Sequence, residues 1–246
     1  MSEQEISLEE LSQWLLLYAD YISQREGVLT ELDAAIGDAD HGINMCRGTE
    51  QVRRVLTGPS GPTDIATFLR TIAFTLINSI GGAAGPLYGS FFLHAANVAK
   101  QITANEALPP VSATELNQPV IGGTVTTSPA ASGLQSATIE QIVAMFVGGL
   151  KGVKQRGKAS MGEKTMIDAL EPAILAMQDA TENQMDIGTI FLSAEQAAHA
   201  GMERTVELVA TKGRASYLGE RSRGHQDPGA TSTYFLFEAA AKIWGK

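Results

Sequence analysis

Apolar side chains recur at three- and four-residue steps through most of this chain, and two-residue alternation is nearly absent. Its hydrophobic surface can therefore be buried only by packing helices on helices. Leu8, Leu11, Leu15, Tyr18 and Ile22 form one such stripe, behind a capping-box pair made by Ser7 and Glu10. Comparable stripes run over 64–80, 87–102, 138–153, 165–177 and 187–211, with Gly213 as a stop for the last of them. A final helix is predicted from Pro228 to Trp244, and Pro172 predicts a kink or boundary within its own stretch. The exception to the helical pattern is "PVIGGTVTT" at 119–127, which reads as a small hairpin around Gly-Gly. It lies in a region of about 105–137 rich in Pro, Ser, Thr and Gly, and a loop of that length inside a compact domain is functional or mobile. With 246 residues, 44% of them hydrophobic, one all-α domain spanning 1–246 is expected, a bundle of about eight helices with an insertion at 105–137.

The formal net charge of -9 argues against a surface that wraps nucleic-acid phosphates. Small anions can still bind where local donors or a metal ion reverse the field. The first residues carry neither the basic nor the apolar segment of a secretory leader, and no apolar run is long enough to span a bilayer. The single cysteine, Cys46, cannot close an internal disulfide. A cytoplasmic protein is expected, without nucleic-acid or membrane partners.

Glycine and polar residues gather at four joints between the helical stretches, at 37–48, 81–89, 157–166 and 213–229. In "LDAAIGDADHGINMCRG", Asp33, Asp38 and Asp40 have the spacing D-x4-D-x-D. Three carboxylates at a bend repel one another unless they stay solvated or a cation sits between them, and hard oxygen ligands favour Mg2+ or Ca2+ over zinc. An EF-hand fails on detail, because Thr49 stands where the bidentate Glu belongs and the glycine falls one residue early. A plainer reading is that these aspartates cap the following helix. "GGAAGPLYG" places free backbone N–H groups before Pro86 at a helix start, which suits a phosphate or simply a close-packed turn. "GVKQRGKA" at 152–159 nearly spells a phosphate-binding P-loop, but it follows a helical run and Ala159 lacks the required hydroxyl. Its lysines and Arg156 border phosphate or form an ordinary solvated turn. In the last joint, Asp227 reads as an N-cap with Pro228 at the first helical position and Gly229 open to a ligand, and Arg214 is a cation just past a helix stop. Tyr217 and Leu218 read as core packing. His94 and His199 have no assigned role, while His41 and His225 sit in the joints. Together the joints point to binding of a magnesium nucleotide on a helical scaffold.

The blocks "IGDADHGINMCRG", "GGAAGPLYGSFF", "RGKASMGEKTMIDAL" and "GRASYLGERSRGHQDPGATS" resemble, in order and along nearly the whole chain, the nucleotide-binding L subunits of bacterial dihydroxyacetone kinase. The resemblance implies an antiparallel eight-helix barrel holding ADP or ATP and two Mg2+ ions at one end. It implies Asp33, Asp38 and Asp40 as metal ligands, with His41, Gly42, Ile43 and Asn44 against the nucleotide. Ala83 and Ala84 would form the phosphate-side loop, Gly157 and Met166 would border the nucleotide, and Arg214, Asp227, Pro228 and Gly229 would complete the pocket. No catalytic group beyond this site is implied. Dihydroxyacetone is expected on a separate K subunit, bound covalently through a histidine, with the nucleotide recharged by the phosphohistidine M subunit of the phosphotransferase system; a homodimer is also allowed. A related kinase acting on another ketose or a fatty acid with free ATP, and a regulatory nucleotide-binding module, are the alternatives. The chain departs from the family pattern at Ala84, where serine is usual, at Glu163, where aspartate is common, and in the insertion.

Overall fold

A computed structural model of the chain describes residues 5–59, 61–104 and 133–245. Nine α-helices form among the described residues: α1 (Leu8–Gln24), α2 (Glu26–Ile36), α3 (His41–Leu56), α4 (Ile65–Ser79), α5 (Ala84–Thr103), α6 (Ile139–Gly157), α7 (Ile167–Glu182), α8 (Ile187–Arg204) and α9 (Pro228–Trp244). Eight of them close a ring. From α3 onward each helix packs on the next, α9 packs on α1, α1 packs on α3, and α2 lies outside against α3 and α9. The ring partners run antiparallel. Arg25 at the end of α1 meets Phe235 and Glu238 midway along α9, whereas Trp14 nearer the start of α1 meets Trp244 at the far end of α9.

An aromatic hub fills part of the ring. Trp14, 1% exposed, stacks on Phe146 at 5.6 Å between ring centres, touches Phe92 and Trp244, and donates its indole N–H to the Leu236 carbonyl at 2.9 Å. The closest helix approaches need absent side chains. A Cβ on Gly149 or Gly152 of α6 would lie 2.5 Å from Phe91 or His94 of α5, which gives His94 a packing role.

In an antiparallel ring, alternate connections share a pole. The helices α3, α5, α7 and α9 begin at one pole, and α1, α4, α6 and α8 begin at the other. The two poles differ in how their helix starts are satisfied. At the second pole every one of the four is capped by its own side chain: Ser7 and Thr138 form capping boxes, and Asp64 and Asp186 accept from Thr67 N and Thr189 N. At the first pole, α3, α5 and α7 have no side-chain cap, and Asp227 caps α9 by accepting from Ala230 N at 2.7 Å.

Two short strands missed by the periodicity close the capped pole. β1 (Glu5–Ser7) pairs antiparallel with β2 (Ser136–Thr138), with Ile6 opposite Ala137. The residues just before β2 also serve two helix starts, since Leu8 N donates to Gln135 O at 3.0 Å and Ile65 N to Leu134 O at 2.8 Å. The hairpin expected at 119–127 lies outside the described residues.

Three other expectations need correction. The stretch 187–211 is not one helix: α8 ends at Arg204, a 3-10 turn follows at Thr205–Glu207, and the chain is then irregular as far as Gly213. Pro172 is not a boundary: it lies inside α7, which runs on to Glu182. Its missing N–H frees the Asp168 carbonyl, and Gly201 of α8 packs against that carbonyl so closely that a Cβ there would lie 2.0 Å from it. Tyr217 is not core; it is 88% exposed, and only Leu218 packs inward, against Ile36, Ala210 and Ala215.

Candidate magnesium-nucleotide site

The four glycine-rich joints are the four connections of the uncapped pole. They enclose a cavity of about 450 Å3, within the range of small-molecule and cofactor sites. The N-cap residues of α3, α5 and α7 make no side-chain cap bond, but Asp33 Oδ2 takes the first N–H of α3 and Thr165 Oγ1 that of α7, so it is the start of α5, at Ala83 and Ala84, whose positive dipole end borders the cavity without a side-chain cap.

The acidic loop between α2 and α3 borders this cavity. Carboxylate oxygens of Asp33, Asp38 and Asp40 all lie within 4.8 Å of one another. Asp33, 8% exposed, organises the loop, since its Oδ2 accepts from Asp40 N at 2.8 Å and His41 N at 3.1 Å. Ala39, between the other two acids, has φ 61°, a left-handed conformation that costs a residue with a Cβ about 1 kcal/mol or more. The loop thus spends local energy to hold its carboxylates close together. An all-oxygen donor set of this kind fits Mg2+ or Ca2+ and has no soft ligand for zinc. The plainer helix-capping reading holds in part: Asp33 accepts from His41 N at the first position of α3, whereas Asp40, at the N-cap position, makes no side-chain cap bond.

Opposite charge reaches the acids from the last joint, where Arg214 Nη2 lies 3.0 Å from Asp38 Oδ2. Arg156, Lys212 and Lys164 also line the cavity, so the pocket of this acidic protein carries its own cations. The lysines of the 152–159 turn divide differently. Lys154 is paired with Glu171 at 2.9 Å, and Lys158 is the left-handed C-cap of α6.

His41 lines the cavity, and its ring is tied to α9 through Nε2, 2.9 Å from Ser232 Oγ. Ser232 Oγ lies 2.8 Å from the Tyr88 hydroxyl, which also reaches Thr233 Oγ1 at 3.1 Å. Burial pushes the His41 imidazole below its ordinary pKa, against the pull of Asp33 and Asp40. The neutral ring therefore acts as a strut between the acidic loop and the start of α9.

Thirteen of the fifteen residues expected at the site border the cavity: Asp33, Asp38, Asp40, His41, Asn44, Ala83, Ala84, Gly157, Met166, Arg214, Asp227, Pro228 and Gly229. Gly42 and Ile43 do not. Gly42 lets α3 pack on α2, since a Cβ there would lie 2.2 Å from the Glu26 carbonyl, and Ile43 is 52% exposed. Sequence reasoning missed Tyr88 and Lys164. Tyr88 stood inside a quoted glycine-rich block but carried no signal of its buried hydroxyl network. Glu163 has a local role: its carboxylate accepts from Ser160 N, and its carbonyl accepts from Thr211 N, joining two of the cavity's loops.

Asp227 is the most perturbed acid. Burial raises its pKa from 3.8 to about 7, opposed by the Ala230 N–H and by Lys164 and reinforced by Asp168 and Asp33. The folded chain holds this proton more tightly than the unfolded one. That contribution to stability is complete below the unfolded pKa and is lost as pH rises through the folded value. Ligand-free wild type is therefore expected to lose stability relative to Asp227→Asn as pH climbs from about 4 to about 7, measured as Tm against pH. A difference that stays flat over this window would show that Asp227 ionises without penalty.

The comparisons with known proteins agree with this geometry. Residues 35–242 match the model of the DAK2 domain family. The chain is 36% identical over 236 residues, 96% of its length and 97% of the other's, to the Escherichia coli K12 "PEP-dependent dihydroxyacetone kinase, ADP-binding subunit DhaL". It is 34% identical over 238 residues to the "PTS-dependent" counterpart of Lactococcus lactis, covering 97% of this chain and 98% of that one. Among solved structures, the dihydroxyacetone kinase of C. freundii in complex with AMP-PNP and Mg2+ superposes with a TM-score of 0.64 at 25% identity. That match covers 97% of this chain and 34% of the other, so this chain corresponds to about a third of that kinase.

Proposed function

The chain belongs to the DAK2 domain family, and on that premise we propose that it is the ADP/ATP-binding subunit of a dihydroxyacetone kinase. In this reading it delivers a phosphoryl group to dihydroxyacetone held on a separate K subunit. Its nucleotide stays bound and is recharged by the phosphohistidine M subunit of the phosphotransferase system. The observation that carries the proposal is the convergence at one pole of the uncapped start of α5 and a trio of carboxylates within 4.8 Å. A magnesium diphosphate needs both halves of that arrangement, donors for its oxygens and carboxylates for its cation. The full-length match to ADP-binding subunits supports it. No helix among the described residues is long and apolar enough to cross a membrane, and the proposed setting is the cytoplasm.

Phosphoryl transfer depends on positioning and charge neutralisation more than on covalent help from the protein. Bound Mg2+, two ions in this proposal, would supply that charge neutralisation. Asp33, Asp38 and Asp40 would hold it. The N–H groups at the start of α5, around Ala83 and Ala84, would receive phosphate oxygens through the backbone, so the absent serine hydroxyl at 84 removes one donor without removing the cradle. Arg214, 68% exposed in its side chain, would exchange its Asp38 partner for a phosphate oxygen, which keeps the guanidinium neutralised throughout.

The test is reconstitution. The purified chain, freed of excess nucleotide by dialysis, is combined with Mg2+, a K subunit, dihydroxyacetone and phosphorylated M subunit. Retained ADP, identified by mass after acid release, and formation of dihydroxyacetone phosphate without added ATP are expected. A chain that retains no nucleotide and transfers only when free ATP is supplied would overturn the cofactor reading. Failure with every donor would leave a nucleotide-binding module that is not a kinase subunit.

A further inference from the structure

Lys164 is a lysine that behaves unlike a surface residue. It is 1% exposed, has φ 60°, and sits in a loop folded over the Asp168 carboxylate, which accepts from Gly162 N at 2.5 Å and Thr165 N at 2.8 Å. Its ammonium donates to three main-chain carbonyls, those of Thr205 at 2.5 Å, Leu208 at 3.2 Å and His225. A lysine ammonium has three N–H donors, so all of them are taken. Lys164 therefore has no donor left for a phosphate, although it borders the cavity.

The identity of those carbonyls gives the lysine its meaning. Thr205 and Leu208 stand where the chain leaves α8, and His225 stands where it returns to start α9. Between these feet the chain makes an excursion that presents Lys212, Gly213, Arg214 and Ala215 to the cavity. Two further bonds brace the neck, Gly224 N to Val206 O at 2.8 Å and Ala210 N to Ser222 Oγ at 2.9 Å. Asp227 N donates to Thr205 Oγ1 at 3.0 Å, so the tie continues into the start of α9.

We propose that Lys164 is a positioning residue: its ammonium staples the two feet of the 206–224 excursion and so fixes Arg214 at the rim of the nucleotide site. The proposal rests on the nucleotide-binding reading given above. Its physical basis is that one buried ammonium bridges both feet: Thr205 O also accepts from Leu208 N at 3.2 Å, but releasing the ammonium takes from Leu208 O and His225 O, one carbonyl in each foot, the donor they share.

The experiment compares wild type, Lys164→Met, Arg214→Ala and the double variant by amide hydrogen exchange and by calorimetric titration with ADP in the presence of Mg2+. In Lys164→Met, amides of 209–224 are expected to exchange roughly tenfold faster while those of α1 to α6 keep wild-type protection, and ADP affinity is expected to fall about tenfold. Because the lysine acts through the loop that carries Arg214, the double variant is expected to lose little more affinity than Arg214→Ala alone. Wild-type protection of 209–224 in Lys164→Met, or losses that multiply in the double variant, would overturn the proposal. If Lys164→Met does not fold, Lys164→Arg takes its place, because a planar guanidinium cannot serve three carbonyls that converge on one nitrogen. Faster exchange of 209–224 in that variant supports the staple, and wild-type exchange with wild-type affinity overturns it. If wild type itself does not bind ADP, the nucleotide reading fails, while the exchange measurement still decides the staple.

Discussion

Asp33→Asn is expected to weaken magnesium-dependent ADP binding by roughly 100-fold, about 2.8 kcal/mol, while leaving the ligand-free protein at least as stable as wild type. Asp33 has two separable jobs. As an acceptor it orders the loop through Asp40 N and His41 N, and an asparagine oxygen can accept the same two bonds. As a charge it helps hold a dication, and an amide cannot do that. A single pair of unit charges 4 Å apart carries about 4 kcal/mol at an effective dielectric of 20, so a 100-fold loss is a modest share of what a dication stands to lose. Without metal the sign reverses, since removing one of three crowded carboxylates relieves repulsion that only Arg214 at Asp38 offsets directly. The signature is therefore double: calorimetric titration with and without Mg2+ should show the lost affinity, and thermal unfolding of the ligand-free protein should show no loss. Wild-type affinity in this variant would remove Asp33 from the metal site and, with it, the support for the kinase assignment.

The second large effect falls on stability and spares binding. Trp14→Ala is expected to cost about 4 kcal/mol, a large part of the roughly 5–15 kcal/mol that holds a domain together. Trp14 sits among Phe92, Phe146 and Trp244 and is 1% exposed, so its removal opens a cavity that its neighbours can only partly fill. Its partner Trp244 ends a helix of 17 residues, about 25 Å from the Asp227–Gly229 end that borders the nucleotide cavity. Urea unfolding should report the loss, while ADP affinity measured well below the new Tm should stay within about twofold of wild type. A tenfold loss of affinity in folded Trp14→Ala would show that hub and site share one mechanical unit.

What the sequence conveyed followed the range over which each interaction acts. The capping box at Ser7 and Glu10, the Asp227 cap and Pro228 at the start of α9 are all contained within a few residues, and each forms as expected. The acidic trio was legible for the same reason, because its spacing and its geometry belong to one loop. Pro172 misled as a helix boundary because its partner, Gly201, is on another helix, and a freed carbonyl that packs on a glycine leaves no local trace. The β1–β2 pairing joins residues about 130 positions apart over three residues each, too short for alternation to register. Lys164 resembled the other lysines of its joint, since nothing near it in sequence announces three carbonyls from 205, 208 and 225. Tyr217 and Leu218 were both read as core, yet the 3-10 turn that carries them sends only Leu218 inward and leaves Tyr217 exposed.

The separation of the two poles has a practical consequence for anyone who needs a handle on this molecule. The chain departs from α5 at Thr103 and rejoins at β2 on the self-capped side, one helix length of about 30 Å from where α5 borders the cavity. A fluorescent label or surface tether placed at exposed Ala104 is thus held a full barrel height from the cavity, which leaves the cavity mouth uncovered during single-molecule recording.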